Sequence, residues 1–468
     1  MLLNYSVSGV KYLFFLRLIY FLFLLGLMFF LSRFRLHEIL APLSGGIALI
    51  VFVYGIFQKF FLFPWILDQP GWDPSPYAQA LRAKVAAGRI FAIFPLPTLY
   101  AMVCGVLLVC IIHYFFAAKG WRKSYWIVLF LLGGANLFLT QSFGGIIFFT
   151  AGALFYLFVS GIFKIKFLAP LLMAVALIFF LVVGLRFSEA RELKPVKLRF
   201  ANWLQAGRVI VAAPLLGTGL GNYETAVPAQ VYPGEPPSIY AHNFFLQMAA
   251  EIGIPWMLLL ALLAIPWIKK NFHIVFRRDH ALFMSLCIQI LLFNLFDVGN
   301  YFIAAGICLA IAGSQVFPFA GQARRGYLWP TAVFAVLLLV NEISVDRQAT
   351  ADLWFIRLEY AKAEHAYRQA LAINPYSYRA LLGMAAIAQK KADPVEAERF
   401  FGKILDVYPG QAYANFMFSQ AAYRRGAYLT ALGHANRAAA ANKKSKEYQR
   451  WYEHIKTNFA DRLALPGN

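Results

Sequence analysis

The sequence predicts an all-α protein, a polytopic membrane helical bundle of about ten transmembrane helices followed by a C-terminal α-helical repeat domain. Three observations carry this expectation. Of 468 residues, 61% are hydrophobic and only 14% are charged, against roughly 25% charged in soluble domains; a chain so apolar would otherwise need a very large dry core. Its apolar runs, such as Leu168–Leu185 and Tyr327–Val340, approach the ~18–20 residues that cross ~30 Å of hydrocarbon. After Val345 the apolar density falls, alanine rises and a 34-residue period sets in.

Taken in order, the candidate spans are 12–31, 38–57, 90–116, 124–140, 144–162, 167–185, 245–268, 281–296, 300–317 and 327–343. The first is too long for a signal-peptide core, and no small-residue cleavage site follows it. Basic residues gather in alternate short loops: Arg33 and Arg35; Lys119, Arg122 and Lys123; Lys164 and Lys166; Lys269, Lys270, Arg277 and Arg278; Arg324 and Arg325. The positive-inside rule puts all five loops on the cytoplasmic face. Thirteen of the 43 basic residues behind the net charge of +21 therefore set orientation, and no nucleic-acid partner is expected. The segments 58–89 and 186–244 become two large external loops, and the tail after 343 is external as well. Six spans before the second loop put the N-terminus outside, which is unusual for a cationic start; the expectation is that helices precede it or that the first helix inserts late. Arg17, inside the first span, is placed to snorkel. Cys104, Cys110, Cys287 and Cys308 all lie in apolar runs without metal-ligand spacing and read as packing residues.

The tail repeats in register. Ala363, Ala397 and Ala431 are 34 apart, as are Tyr367, Phe401 and Ala435, and Ala370, Ile404 and Ala438. Pro375 and Pro409 share the interval, with Lys443 where a third proline would stand. Small residues let paired helices approach, the aromatic fills the groove, and the proline ends the second helix of each unit. This is the tetratricopeptide pattern, with a degenerate third unit. Two domains follow: 1–343 in the membrane and 344–468 as external repeats.

Polar groups are sparse in the spans and concentrated in the external loops, the reverse of what a transport pathway needs. The first external loop begins with Gln58 and Lys59 and ends at Arg89; the second carries Arg186, Arg191, Lys194, Lys197, Arg199 and Arg208. The second then runs through Gly217-Thr218-Gly219-Leu220-Gly221 to Ala241-His242-Asn243, with Gln247 and Glu251 spaced for i, i+4 contact. The glycine stretch has no preceding strand and no following Lys-Ser/Thr, so it is not a nucleotide loop; its glycines permit a tight turn.

The ordered set Gln58-Lys59, Arg89-Ile90-Phe91 before Pro95, Leu139–Gly145, Arg199-Phe200-Ala201-Asn202-Trp203, Pro214–Tyr223, Ala241-His242-Asn243 and Asn294-Leu295-Phe296-Asp297 resembles the O-antigen ligase and O-antigen polymerase superfamily, which includes bacterial protein O-oligosaccharyltransferases. The resemblance spans roughly residues 50–315. It implies a bacterial inner-membrane enzyme with its large loops and C-terminal domain in the periplasm. The donor it implies is an undecaprenyl-pyrophosphate-linked glycan. The acceptor is a hydroxyl on a lipid A-core, a growing glycan or a protein. It implies a glycosyltransferase with neither metal nor other cofactor.

The residues fit that chemistry. A pyrophosphate leaving group develops negative charge, and arginine is a planar, permanently charged phosphate ligand. Arg89 and Arg199 match the family's loop arginines and are assigned to the pyrophosphate, with Arg208 as a further candidate. His242 matches the family histidine, and an imidazole suits acid/base work on the acceptor hydroxyl; the competing reading is a histidine that only anchors the loop. Asn243 is expected to cap the following helix, Asp297 to pair with a loop arginine, and Lys59 to support the first loop. Two departures stand out: Phe143 occupies a place where the family often carries a basic residue, and fewer helices precede the first external loop.

Two readings from other classes remain. A polysaccharide exporter or flippase predicts mid-membrane charges and inverted repeats among the spans, and neither is visible. A non-catalytic scaffold would act through its repeats, whose concave surface suits a protein partner.

Overall fold

A computed structural model describes residues 6, 10–34, 36–68, 76–162, 194–230, 238–316, 328–443 and 445–464. The expected span 167–185, and Arg35, Lys164, Lys166, Arg186, Arg191, Arg324 and Arg325, lie outside the described residues. The described chain is all-helical. Helices α1 (Lys11–Leu31) and α2 (His37–Phe57) come first; α2 runs on through a π-helical turn, Gln58–Leu62, into α3 (Phe63–Leu67). Then follow α4 (Pro76–Ala86), α5 (Pro97–Ala117), α6 (Arg122–Leu139), α7 (Phe143–Val159) and α8 (Lys194–Ala212). The one-turn α9 (Tyr223–Ala226) leads to α10 (Phe244–Ile252), α11 (Ile254–Asn271), α12 (Ala281–Asn294), α13 (Ile303–Val316) and the 29-residue α14 (Leu328–Ile356). The repeat region is α15 (Tyr360–Ile373), α16 (Tyr378–Lys390), α17 (Pro394–Val407), α18 (Ala412–Arg424), α19 (Tyr428–Ala441) and α20 (Lys446–Ala464).

Among the described segments, Lys11–Leu31, Ile39–Leu67, Pro97–Ala117, Ile254–Phe276 and Trp329–Ile356 are each long and apolar enough to cross a membrane, and α7 and α13 are shorter apolar helices. Helix α5 is the axis of the bundle. It is buried on nearly every side, from Leu99 to Ile111, by α2, α6, α7 and α12. Close approach is made by glycines: a β-carbon on Gly133 of α6 would fall 2.7 Å from both Leu108 and Phe52. The four cysteines are free, three buried and Cys308 partly so.

Three boundaries differ from the sequence reading, each for a local reason. The helix expected to stop at 57 continues to Leu67. Phe63 donates to the Gln58 carbonyl in the wider π register, which lets the chain pass Pro64 without the bond that proline cannot make. The span expected from residue 90 begins as helix only at Pro97, because Pro95 and Pro97 favour extended backbone before them and Leu96 has φ −135° and ψ 139°. The span expected at 245–268 is two helices, broken at Gly253 with φ +87°.

Helices α7 and α12 run antiparallel: Phe148 meets Phe296 at 5.6 Å between ring centroids, and Phe155 meets Phe276 at 6.2 Å. The described basic loop residues thus lie at the end of the bundle remote from Asp297. Arg17 does not snorkel. Its Nη1 donates to the Tyr301 carbonyl at 2.7 Å and its guanidinium stacks 3.9 Å from the Tyr301 ring centroid.

The repeat positions form the core expected of them. Ala363, Tyr367 and Ala370 are buried in α15, Ala397, Phe401 and Ile404 in α17, and Ala431, Ala435 and Ala438 in α19. Ser377, Asp393 and Gln411 cap α16, α17 and α18. No linker separates this stack from the membrane helices: α14 passes residue 343 without a break, and its last turns pair with α15.

Candidate functional site

The site grows from the sharp turn after α12. Asn294 ends the helix and its Oδ1 accepts from the Asn300 backbone at 2.9 Å, folding Leu295–Gly299 back on the bundle. Asp297, at the tip, has a side chain only 5% exposed. Its Oδ2 accepts from Arg199 Nη2 at 3.0 Å, and its Oδ1 lies 3.0 Å from His242 Nδ1 and accepts from the Val298 backbone at 2.9 Å. Burial raises this carboxyl, but the His242 hydrogen bond, the Arg199 charge and the Val298 N–H outweigh it and hold it down at about 2. Asp297 is therefore a carboxylate at neutral pH, an acceptor only, so Nδ1 must carry the hydrogen. In the neutral ring the lone pair is then on Nε2, the atom placed to take a proton.

Helix α8 supplies two of the partners from one face. Arg199 reaches Asp297, and Trp203, four residues on, donates from Nε1 to the His242 carbonyl at 3.2 Å and packs on Phe296 at 6.0 Å. His242 adopts a left-handed φ of +51°, and Asn243 returns to extended backbone as the N-cap of α10, accepting from Leu246 at 3.0 Å. Asn243 also donates to the Leu295 carbonyl at 2.9 Å, while Phe244 donates to the Asp297 carbonyl at 3.1 Å. The N-terminus of α10 is thus bolted to the α12 turn on both sides of Asp297. Arg199 and His242 side chains stay 27% and 22% exposed, so the cluster has a buried floor and an open edge.

Arg89 sits at the same end of the bundle, in the stretch between α4 and α5. Its Nε donates to the Thr140 carbonyl at 3.0 Å, and Ile90 donates to Leu139 at 3.3 Å. Two residues of the π turn hold this stretch. Gln58, 2% exposed, accepts from both Phe91 and Ala92 at 2.8 Å, and Lys59 donates to the Gly88 carbonyl at 3.0 Å. Lys59 is thus a loop anchor. Arg208 is not brought to Asp297: nine residues past Arg199, it falls on the opposite face of α8, where its charge acts on the buried Tyr223 hydroxyl.

The glycine stretch is a packing device. Thr218 and Gly219 donate to the Ala250 and Glu251 carbonyls at 2.9 Å, and a β-carbon on Gly217 would sit 2.3 Å from the Glu251 oxygen. The Gln247–Glu251 contact forms at 3.3 Å; Glu251 also accepts from Gly221 at 2.7 Å and from the Tyr301 hydroxyl. Sequence reading named Glu251 only for its spacing; its role in tying the second loop to the α12–α13 turn depends on partners 30 and 50 residues away.

Residues 126–261 match the family model described as O-Antigen ligase, and residues 359–417 match a tetratricopeptide repeat. The first match contains Arg199, Arg208, His242 and Asn243, while Lys59 and Arg89 precede it and Asp297 follows it. No curated protein matches the chain. The resemblance read from the motifs is thereby met by both matches. The first is similarity to a glycosyltransferase-like family of polysaccharide assembly, and the second to a repeat of a kind that engages other proteins.

Proposed function

We propose that the chain transfers a glycan from undecaprenyl pyrophosphate to an acceptor hydroxyl on the periplasmic face of the bacterial inner membrane, as an O-antigen ligase or polysaccharide polymerase. The observation that carries this reading is the Asp297 carboxylate held between Arg199 and His242, 3.0 Å from each. His242 Nε2 takes the acceptor proton as the acceptor oxygen bonds to the anomeric carbon. The bond from that carbon to the pyrophosphate oxygen breaks, and its electron pair leaves with the undecaprenyl pyrophosphate. Arg199 and Arg89 balance the developing charge. Asp297 fixes the ring and offsets the imidazolium, while Lys59, Gln58 and Asn243 position the loops. The chemistry needs no divalent metal. Residues 1–343 form the transferase domain and 344–468 the periplasmic repeats. A protein acceptor is the second reading, favoured by the repeat stack standing at the same end of the bundle as His242.

The test is transfer in vitro. Purified protein in chelator is given undecaprenyl-pyrophosphate glycan with lipid A-core, a second glycan or a protein. Transfer to one of these, lost in His242→Ala and Arg199→Ala, supports the reading; full activity in both variants removes the site.

A further inference from the structure

A cavity of about 500 Å³ lies between the repeat stack and the second loop, within the ~300–1,000 Å³ of small-molecule sites. One wall is the edge of the stack where each second helix turns into the next unit, with Asn374, Ser377 and Tyr378 in one unit and Tyr408 and Gln411 in the next. The opposite wall is the start of α1, with Tyr12, and the loop residues Glu224, Ser238 and Ile239. Three residues beyond Ile239 is His242, and the intervening Tyr240 ring packs against the imidazole at 6.4 Å. The cavity therefore adjoins the proposed centre along one short stretch of backbone.

Its lining sets a polar group of side chains among apolar ones such as Val10, Leu13, Leu16 and Val345. Carboxamides and phenols are already ordered by one another: Tyr12 donates to Asn341 at 3.0 Å and accepts from Asn374 at 2.7 Å, and Gln411 donates to the Tyr378 hydroxyl at 2.6 Å. Tyr378 and Tyr408 rings meet at 5.4 Å. Among the described lining residues the charges are one of each sign, Glu224 and Arg379. Neither side chain has a hydrogen bond or ion pair to another described residue. Burial raises the Glu224 carboxyl and the Arg379 charge opposes the rise, so the two groups sense each other across the space.

A lining with no net charge gives no hold on a diphosphate. Carboxamides and hydroxyls that both donate and accept, beside aromatic rings, match a neutral polyhydroxylated ligand. We propose that this cavity is a saccharide subsite that holds a short neutral glycan segment next to His242. The proposal rests on the glycan-transfer reading for its place in turnover, while binding itself does not depend on it. The segment belongs either to the acceptor or to the donor's sugar chain.

The test uses the full-length protein in nanodiscs. The probe is the source organism's own lipid-linked glycan, released by mild acid and labelled at its reducing end. Wild type and His242→Ala should bind it equally. Glu224→Ala and Arg379→Ala should weaken binding about tenfold each, the loss expected for one charged hydrogen-bonding partner. Ile239→Trp, which narrows the cavity, should weaken it as well, with unfolding midpoints unchanged throughout. In turnover, a raised KM for the acceptor with donor KM unchanged assigns the segment to the acceptor, and the reverse assigns it to the donor. Glycan binding that is absent, or equal in wild type and all three cavity variants, overturns the proposal, as does displacement of the glycan by a neutral serine-rich peptide. Binding as described in a protein that transfers nothing sinks the transfer reaction and leaves the subsite standing.

Discussion

At His242 the backbone takes a left-handed φ of +51°, a conformation that costs a residue with a β-carbon on the order of 1 kcal/mol or more. The fold offsets that cost with the Trp203 bond to the His242 carbonyl and the Asn243 cap, and the return is a ring aimed at Asp297. Asparagine tolerates the same backbone, so His242→Asn removes the proposed base without disturbing the turn. It should lower kcat by about 10²–10⁴-fold with the acceptor KM within a few-fold of wild type, read by steady-state transfer. Asp297 sets a pH limit. Its carboxyl lies near 2 in the folded chain and ~3.9 when unfolded. The ionised cluster therefore contributes fully above about pH 5 and is lost as pH falls toward 2, a contribution of about 2–3 kcal/mol. Trp203 fluorescence should report the opening in that window, and in Asp297→Asn the transition should vanish.

At the scale of helices, packing explains both the tight contacts and one misfit. Gln289 in α12 is fully buried, and among the described residues neither its Nε2 nor its Oε1 has a hydrogen-bond partner. It is wedged between Gly105 of α5, where a β-carbon would fall 2.2 Å from Nε2, and Gly152 of α7, where one would fall 3.0 Å from Oε1. An unpaired buried amide costs about 1–3 kcal/mol, so Gln289→Met, similar in volume, should raise the unfolding midpoint in detergent by the equivalent of about 1 kcal/mol. Gly253 behaves oppositely. It combines φ +87° with a site where a β-carbon would lie 2.3 Å from the Leu215 carbonyl oxygen. Gly253→Ala should therefore sharply lower the yield of folded protein on size exclusion, because backbone cannot give way as a side-chain tip can. The periodic elements were readable in advance: the helices from their apolar runs, the repeats from Ala363, Tyr367 and their echoes. The π turn, the late start at Pro97 and the break at Gly253 were not, because apolar runs pass over them unchanged and only backbone bonding marks them.

In the whole molecule, α14 runs as one rod from the bundle into the repeat stack, and Tyr12 of α1 ties the repeats back to the bundle through Asn341 and Asn374. A proline at Ile343 would break that rod. Ile343→Pro should reduce transfer while leaving membrane insertion intact, with protease cleavage near residue 343 as the readout; unchanged transfer would show that the repeats work at arm's length. Composition, span order and the 34-residue register determined by themselves an all-helical membrane protein ending in repeats, since each is a local or periodic property of the chain. The sequence also supplied the residue types that make up the Asp297 cluster. Only the tertiary structure decided which of them meet. Arg199 and His242 reach Asp297 across 98 and 55 residues, while Arg208, on the same helix as Arg199, is turned away. Helical periodicity gives each side chain a face, but which faces converge depends on how α8, α10 and the α12 turn pack, and no spacing along the chain records that.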